Sequence, residues 1–231
     1  MGYRIIALLL MSGLGAAASA EGLDGVMLKY MVSEQGLEPY PTRIIVTDTV
    51  VRMDDGESGG DYLLFDREKR LIRSVTHGDA TVLEIPAREL AASSPIALQR
   101  EQQLEADTKA PEIGGRQPHT LRLLVNEQPC YDAVVVPGLM PDVVKALRDF
   151  NRLLAGEQGK RLADLPAEVL DGCDLALHTF HPEWPLESGL AIQEYDHSLQ
   201  RGRLLVDIDQ AYQADAELFK LPADYRHYTT P

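Results

Sequence analysis

Residues 62–85 read YLLFDREKRLIRSVTHGDATVLEI, and this stretch decides the fold class. It contains three runs rich in β-forming residues: Tyr62 to Asp66, Leu71 to His77 and Ala80 to Ile85. A charged segment separates the first two runs. Gly78-Asp79 separates the last two and is predicted to be a two-residue hairpin turn, where glycine takes the positive φ. Polar and apolar side chains alternate along the middle run, which predicts an antiparallel meander with one solvated face.

Comparable runs occur on both sides of this meander and are broken by turn residues. They are Val26 to Val32, Arg43 to Thr47, Val50 to Met53, Thr120 to Val125, Tyr131 to Val136, Cys173 to Phe180, Gly189 to Tyr195 and Arg203 to Asp209. Residues 87–118 are less decisive, because the polar stretch Gln99 to Glu105 fits either a long edge strand or a solvated helix.

One segment has a helical pattern instead. Pro141 suits a first helical position, and apolar residues then recur at helical spacing at Val143, Leu147, Phe150 and Leu154. Gly156 is predicted to lie just beyond the last turn, so the helix covers about residues 141–155. The sequence thus predicts an α+β fold, a mostly antiparallel, curved, half-barrel-like sheet with this one main helix packed on one face. No repeat or linker interrupts residues 21–231, which are expected to form a single β-rich domain.

The charge balance limits the partners of the chain. Its 231 residues contain 36 acidic and 22 basic side chains, which gives a net charge of −14 at pH 7. An acidic surface repels phosphate groups, so neither nucleic acid nor an anionic lipid surface is an expected partner.

Residues 1–20 have the pattern of a cleaved signal peptide. Arg4 supplies a positive charge, Ile5 to Ala17 form an apolar stretch, and Ala18-Ser19-Ala20 is a small-residue cleavage site. The apolar stretch is shorter than the roughly 20 residues that span a bilayer. The mature chain is therefore predicted to be periplasmic, with no stable membrane insertion after cleavage.

The two cysteines, Cys130 and Cys173, both lie in the predicted mature chain. Two thiols in an oxidising compartment usually pair. A reactive thiol is the alternative, but neither cysteine opens a predicted helix or has an adjacent basic residue that would lower its pKa. The sequence therefore predicts a Cys130–Cys173 disulfide.

Two patterns suggest a hydrolase. Gly56-Glu57-Ser58-Gly59-Gly60 matches the G-x-S-x-G pattern of a nucleophile elbow, but the expected strand before Ser58 and helix after it are missing. Asp207 and Asp209 alternate with Leu204, Val206 and Ile208 on a predicted strand, and Glu194 on the strand before could approach them. A solvated sheet displays carboxylates in the same way. No catalytic residue is predicted, and an envelope hydrolase stays the less favoured alternative.

Two further patterns suggest a metal. The carboxylates around the glycine-rich loop, at Asp54, Asp55, Glu57 and Asp61, lack the spacing of an EF-hand. His178 and His181 are three residues apart, with Glu183 nearby, and on the predicted strand they point to opposite sides. Zinc would also need a third or fourth ligand. Neither a metal nor a cofactor is predicted.

Trp184, the single tryptophan, lies between Pro182 and Pro185. An aromatic side chain in a loop stiffened by proline is either a lid or anchor for a ligand, or a plug at one end of a sheet. It is a weak candidate for a ligand-binding residue, and the other ligand contacts are unknown.

Several motifs resemble those of an uncharacterised exported bacterial family of proteobacterial-type periplasmic proteins. They are Tyr62-Leu63-Leu64-Phe65-Asp66, the segments Val134 to Pro141 and Cys173 to Phe180, and the ending Phe219-x-Leu221-Pro222-x-x-Tyr225. More distantly, the strand-rich order with one helix resembles the lipoprotein-carrier (LolA-like) fold. That resemblance implies a curved antiparallel half-barrel that shelters acyl chains, and it assigns no binding residue.

These observations predict a soluble, non-enzymatic periplasmic protein that binds an apolar ligand, such as a lipid or acyl chain, or an envelope protein. The alternative is a structural or regulatory interaction module of the envelope. The two differ in whether the apolar face of the sheet exceeds what the helix can cover. An open apolar groove favours a ligand, and a filled groove favours a protein partner.

Overall fold

Twelve strands form one sheet in the computed structural model, which describes residues 22–57, 59–89, 93–162, 166 and 169–230. In chain order the strands are β1 (Leu23–Glu34), β2 (Tyr40–Thr47), β3 (Val50–Asp54), β4 (Tyr62–Asp66), β5 (Leu71–Thr76), β6 (Thr81–Pro86), β7 (Arg100–Ala106), β8 (His119–Val125), β9 (Gln128–Val136), β10 (Leu190–Asp196), β11 (Arg201–Ala214) and β12 (Arg226–Thr229). The predicted signal peptide and Ser58 lie outside the described residues.

The strand order is β12-β6-β5-β4-β3-β2-β1-β11-β10-β9-β8-β7, so β12 and β7 are the two edges and the sheet is not closed. Neighbouring strands are antiparallel, except that β12 runs parallel to β6. Near the centre, β1 pairs with β2 and, along almost its whole length, with β11. The predicted fold class, a mostly antiparallel curved sheet with one main helix, is confirmed.

The meander of residues 62–85 forms as predicted from β4, β5 and β6, but its second turn differs. Thr76 pairs with Thr81, so the loop contains four residues, His77–Ala80, and the predicted two-residue turn is wrong. The Ala80 N–H donates to the His77 carbonyl at 3.2 Å, and Ala80 rather than Gly78 has the positive φ, 49°. Four-residue loops are built around a type I turn, and here the left-handed residue comes at the exit of the turn.

The long helix α1 spans Pro141–Arg161 and begins at the predicted residue. It continues through Gly156, so the predicted end near residue 155 is wrong. A Cβ at position 156 would lie 2.7 Å from the Arg88 carbonyl oxygen, closer than such atoms approach. Gly156 therefore lets the chain after β6 pass close to the helix, and it does not end the helix.

The segment Cys173 to Phe180, predicted as a strand, is helical instead. The short helix α2 (Gly172–Asp174) begins at Asp171, whose carboxylate accepts a hydrogen bond from the Asp174 N–H at 2.7 Å. One π-helical stretch, Leu175–Phe180, continues from it. A short segment rich in apolar residues does not distinguish a buried strand from a buried helix, so the capping aspartate was the informative signal here.

The structure also decides between the alternatives for the polar stretch after residue 98. Residues 100–106 form β7, and all seven of them are exposed. Among the described strands only β8 pairs with β7, so β7 is an edge strand rather than a solvated helix.

The predicted disulfide joins β9 to α2. The Cα atoms of Cys130 and Cys173 are 5.1 Å apart, within the range of natural disulfides, and the two residues are 43 positions apart in the chain. Cys130 is fully buried, and the bridge ties the helical segment that follows α1 back to the sheet.

We expect the double variant Cys130→Ala, Cys173→Ala to lose about 2 to 4 kcal/mol of unfolding free energy, because its unfolded chain is no longer constrained. Urea titrations with and without reductant measure the loss. Reductant should lower the stability of the native chain to that of the variant and leave the variant unchanged. Two titratable thiols in the native protein, purified without reductant, would contradict the bridge.

Candidate functional site

The face of the sheet that contacts α1, here called the helix face, has two adjoining apolar clusters. The first lies under α1, where Val143, Leu147, Phe150 and Leu153 pack on Leu28, Ile44, Phe65 and Ile72. The second lies on β8, β9 and β10 and is covered by Ala176, Leu177 and Trp184 from the segment after the helix. Two elements thus share the helix face, and the disulfide holds the second of them.

These covering elements leave the apolar helix face filled. Leu28, Ile72, Leu123 and Val135 are each 0% exposed with no other molecule present. The cover is therefore made of the protein's own side chains. An acyl chain on this face would have to displace them.

Trp184 is part of this cover and is only 3% exposed. Its indole Nε1–H donates to the Gln102 side-chain oxygen at 3.1 Å, and the Arg100 guanidinium lies 5.3 Å from its ring centroid. Both partners belong to β7, so Trp184 connects the covering segment to the edge of the sheet.

A buried polar group lies on the helix face of β1, β9, β10 and β11. Arg203 Nε and the Tyr131 hydroxyl each donate to the Glu194 carboxylate at 2.6 Å, and the Tyr30 hydroxyl donates to the Ala191 carbonyl at 3.1 Å. Burial raises the pKa of Tyr30 to about 12, and burial also raises the pKa of Tyr131 well above 10.0. Both phenols therefore stay protonated donors across the physiological range.

The carboxylates considered for a hydrolase do not come together. Asp207 and Asp209 lie on the other face of the sheet, here called the outer face. Asp207 is opposite Lys29, whose Nζ is 3.5 Å from its carboxylate, and Asp209 is opposite Met27. Glu194 is committed to Arg203 on the helix face. The expected approach of Glu194 to the pair is therefore wrong.

A β-bulge in β11 explains a second difference on this strand. Tyr30 pairs with Leu205 while Lys29 pairs with Asp207, so Val206 is the extra residue. Leu204 and Val206 are consequently 49% and 55% exposed, whereas Ile208 packs in the cluster under α1. The single apolar face predicted for Leu204, Val206 and Ile208 is wrong.

His178 and Glu183, which were considered for zinc, pair with other side chains. His178 Nε2 is 2.9 Å from the Asp196 carboxylate, and Glu183 pairs with Arg152. The part of the chain that the structure describes has no group of three side chains able to hold a metal ion.

Ser198 joins His178 and Asp196 in a cluster that the sequence analysis missed. Its hydroxyl donates to Asp196 at 2.6 Å and lies 3.5 Å from the same His178 nitrogen. A catalytic triad needs the serine and the carboxylate on opposite ring nitrogens. Asp196 also accepts the N–H groups of Ser198 and Leu199, so the cluster stabilises the β10–β11 hairpin.

Most carboxylates of the acidic loop are also engaged. Asp54 accepts two hydrogen bonds from Arg43 at 2.8 Å and another from Arg52. Asp55 accepts from the Glu57 N–H, and Asp61 accepts from the His77 N–H. These bonds order the loop and the outer face beside it.

The C-terminal segment covers part of the outer face. Phe219, Leu221 and Tyr225 pack against side chains of β4, β5 and β6, namely Tyr62, Leu64, Val75 and Val82. Leu218 and Phe219 also reach Met27 and Ile45. The buried Arg52 guanidinium lies 3.9 Å from the Tyr62 ring centroid and donates to the Leu218 carbonyl, so it links this segment to the sheet.

The outer face of β1 from Lys29 onward, of β11 up to Asp209 and of β7–β10 has no such cover among the described residues. Pro41, Met31 and Leu204 are register neighbours on β2, β1 and β11, and all three are exposed. These three side chains form the apolar stripe. Beside it, Gln193, Tyr195, Asp132 and Arg122 line an open depression of about 410 Å³.

This geometry defines a class of architecture: an open, mostly antiparallel sheet with one long helix on one face. No protein-family model and no curated protein matches the chain. One solved structure that is similar is titled "Crystal structure of MucB", with 10% sequence identity and a TM-score of 0.39. The alignment covers 89% of this chain and 60% of that one, so the chain spans less than two thirds of that protein's length. Membership of the exported family stays a prediction.

No helix in the described ranges is both long and apolar enough to cross a membrane.

We expect Asp54→Asn to cost about 3 to 5 kcal/mol at pH 7, because the buried Arg52 and the half-buried Arg43 lose their counter-charge. Burial alone would raise the pKa of Asp54, but the hydrogen bonds from Arg43 and Arg52 outweigh burial and lower it below 3.8. The stabilisation is therefore present above pH 3.8 and is lost as the pH falls through the lower folded pKa.

Urea titrations between pH 7 and pH 3 measure this effect, with the exposed Asp48→Asn as the matched control. The difference between native chain and Asp54→Asn should shrink at the acidic end. A difference that stays constant over this range would contradict the role of the Asp54 carboxylate.

Proposed function

We propose that the chain is a non-enzymatic periplasmic protein that binds a protein partner of the envelope through its outer face. One observation carries the proposal. The apolar helix face is filled by the protein's own side chains, whereas the apolar stripe on the outer face is exposed. A filled groove favours a protein partner over a lipid ligand.

The arrangement of the stripe supports this proposal. Single exposed apolar side chains are normal on a protein surface, but contiguous ones mark an interaction site. Pro41, Met31 and Leu204 are direct cross-strand neighbours, so the stripe runs across three strands. Lys29 and Asp207 flank it and would form part of a polar rim.

The periplasmic location is supported by the disulfide between Cys130 and Cys173, because such bridges persist in oxidising compartments. The net charge of −14 also fits a protein that does not adhere to anionic headgroups. A partner that touches the outer face would then be exported itself or expose a domain to the same compartment.

We expect the double variant Met31→Glu, Leu204→Glu to reduce partner recovery at least about tenfold, since burying one leucine contributes roughly 1.5 to 3 kcal/mol. Crosslinking in intact cells followed by purification measures the recovery. Val169→Glu is the matched control, because Val169 is 66% exposed and lies outside the strands. Equal partner recovery with the stripe double variant and with Val169→Glu would contradict binding at the stripe.

A titration with a fluorescent fatty-acyl probe tests the lipid alternative on the same protein. We expect no saturable micromolar binding, because Trp184 and α1 already occupy the helix face. Saturable binding that also shifts the Trp184 emission would favour an acyl carrier and overturn the proposal.

A further inference from the structure

We infer that the free edge of β7 binds an extended, lysine- or arginine-bearing segment of the partner as an added strand. This inference rests on the proposed function and names the chemistry of the partner. The β7 edge is a different place from the apolar stripe, because β10, β9 and β8 lie between β11 and β7.

The directions of the backbone groups of β7 follow from its register with β8. Asn126 N–H donates to the Gln99 carbonyl and Asp107 N–H donates to the Pro118 carbonyl, in line with the ladder that pairs Arg100 with Val125. Hydrogen-bonded and non-bonded pairs alternate in an antiparallel ladder. The odd-numbered residues of β7 therefore point their N–H and C=O groups toward β8. Arg100, Gln102, Leu104 and Ala106 point theirs toward the free edge.

This free edge is long and accessible. β7 has seven residues, all of them exposed, and no described strand pairs with its far side. Unpaired N–H and C=O groups along such a strand are a template for another chain. Adding a strand to a sheet edge is a common way of binding extended peptides.

At the opposite edge of the sheet, a short segment of the same chain is already added as an edge strand. There the short strand Arg226–Thr229 adds in parallel to β6, with His227 Nδ1 at 3.7 Å from the Glu84 carboxylate. Thr230 N–H also donates to the Glu84 carbonyl at 3.0 Å. A short segment that includes Arg226 and His227 therefore covers one edge, and among the described residues β7 has no equivalent cover.

The two carboxylates on the outer face of β7 indicate what kind of segment fits, whereas Arg100 lies on the helix face beside Trp184. Glu101 and Glu105 lie on the outer face, opposite Leu124 and Thr120 of β8. Neither carboxylate forms an ion pair among the described residues. They are about 13 Å apart along the strand. Basic side chains at alternate positions of an added strand would lie beside these carboxylates, and opposite charges across strands attract.

The other side of β7 provides a reporter. Gln102 accepts the indole hydrogen bond of Trp184 at 3.1 Å, and its own N–H and C=O point to the free edge. A strand added at this edge changes the surroundings of Gln102 and of the single tryptophan. Binding at β7 should therefore shift the Trp184 emission, whereas binding at the apolar stripe should not.

The first experiment titrates full exported protein with a short blocked peptide in which lysine and threonine alternate. Fluorescence anisotropy of the labelled peptide and Trp184 emission are the readouts. We expect saturable binding that weakens with salt, and about tenfold weaker binding of the peptide with glutamate in place of lysine.

A pair of variants at one position separates backbone pairing from side-chain effects. Leu104→Pro removes an N–H that points to the free edge and leaves the ladder with β8 intact, a position where proline is tolerated. It should abolish binding, whereas Leu104→Ala should bind within about threefold of the native chain. The double variant Glu101→Lys, Glu105→Lys keeps the backbone edge and should prefer the glutamate peptide, which tests the charges if Leu104→Pro fails to fold.

Failure of the lysine peptide to bind would overturn the inference, because the glutamates would then act as guards against strand pairing. Equal binding to the native chain, Leu104→Pro and the Glu101/Glu105 variant would also overturn it. If the lysine peptide fails to bind but the variant Met31→Glu, Leu204→Glu loses partner recovery, the proposed function stands without this inference. If that variant still recovers the partner and the lysine peptide binds at β7, the partner site is the β7 edge and not the apolar stripe.

Discussion

An open sheet exposes two faces and two edges, and the arrangement of the other elements follows from the need to cover them. With one long helix available, α1 covers only the part of the helix face around β1–β5. The disulfide-linked segment covers β8–β10, and the C-terminal segment covers the outer face of β2–β6 and adds a strand at the β6 edge. What these elements leave uncovered, the apolar stripe and the β7 edge, is where binding is proposed.

The parts of the fold that local patterns determine could be predicted from the sequence. Alternation in residues 62–85 predicted the meander, and proline at position 141 marked the start of α1. The pairing of the two cysteines was predicted from their presence in a chain expected to be exported. The end of α1 could not be predicted, because Gly156 is required by the passage of Arg88, a contact between residues distant in the chain. The helical form of residues 175–180 was missed because a run of six residues is too short for its spacing of apolar side chains to distinguish a strand from a helix.

The candidate site was harder to predict because it depends on register. One extra residue in β11 turns Leu204 and Val206 to solvent and separates them from Ile208. The ion-pair partner of a carboxylate likewise depends on which strand lies beside it. Asp54 meets Arg43 across the β2–β3 ladder and Glu194 meets Arg203 across the β10–β11 ladder. None of these pairings is visible without the strand partners.

The pairing of β1 with β11 has a consequence for how the protein forms. Leu28 lies opposite Ile208, so the central ladder connects segments that are far apart in the chain. Contacts between distant residues slow folding, since a long loop must close before they form. Strands β1 to β6 are synthesised first. One side of β1 then has no partner strand, and the outer face of these strands has no cover until the C-terminal segment is available. One side of β1 therefore stays unpaired until late in folding, and a partly folded chain would aggregate most readily through that exposed strand.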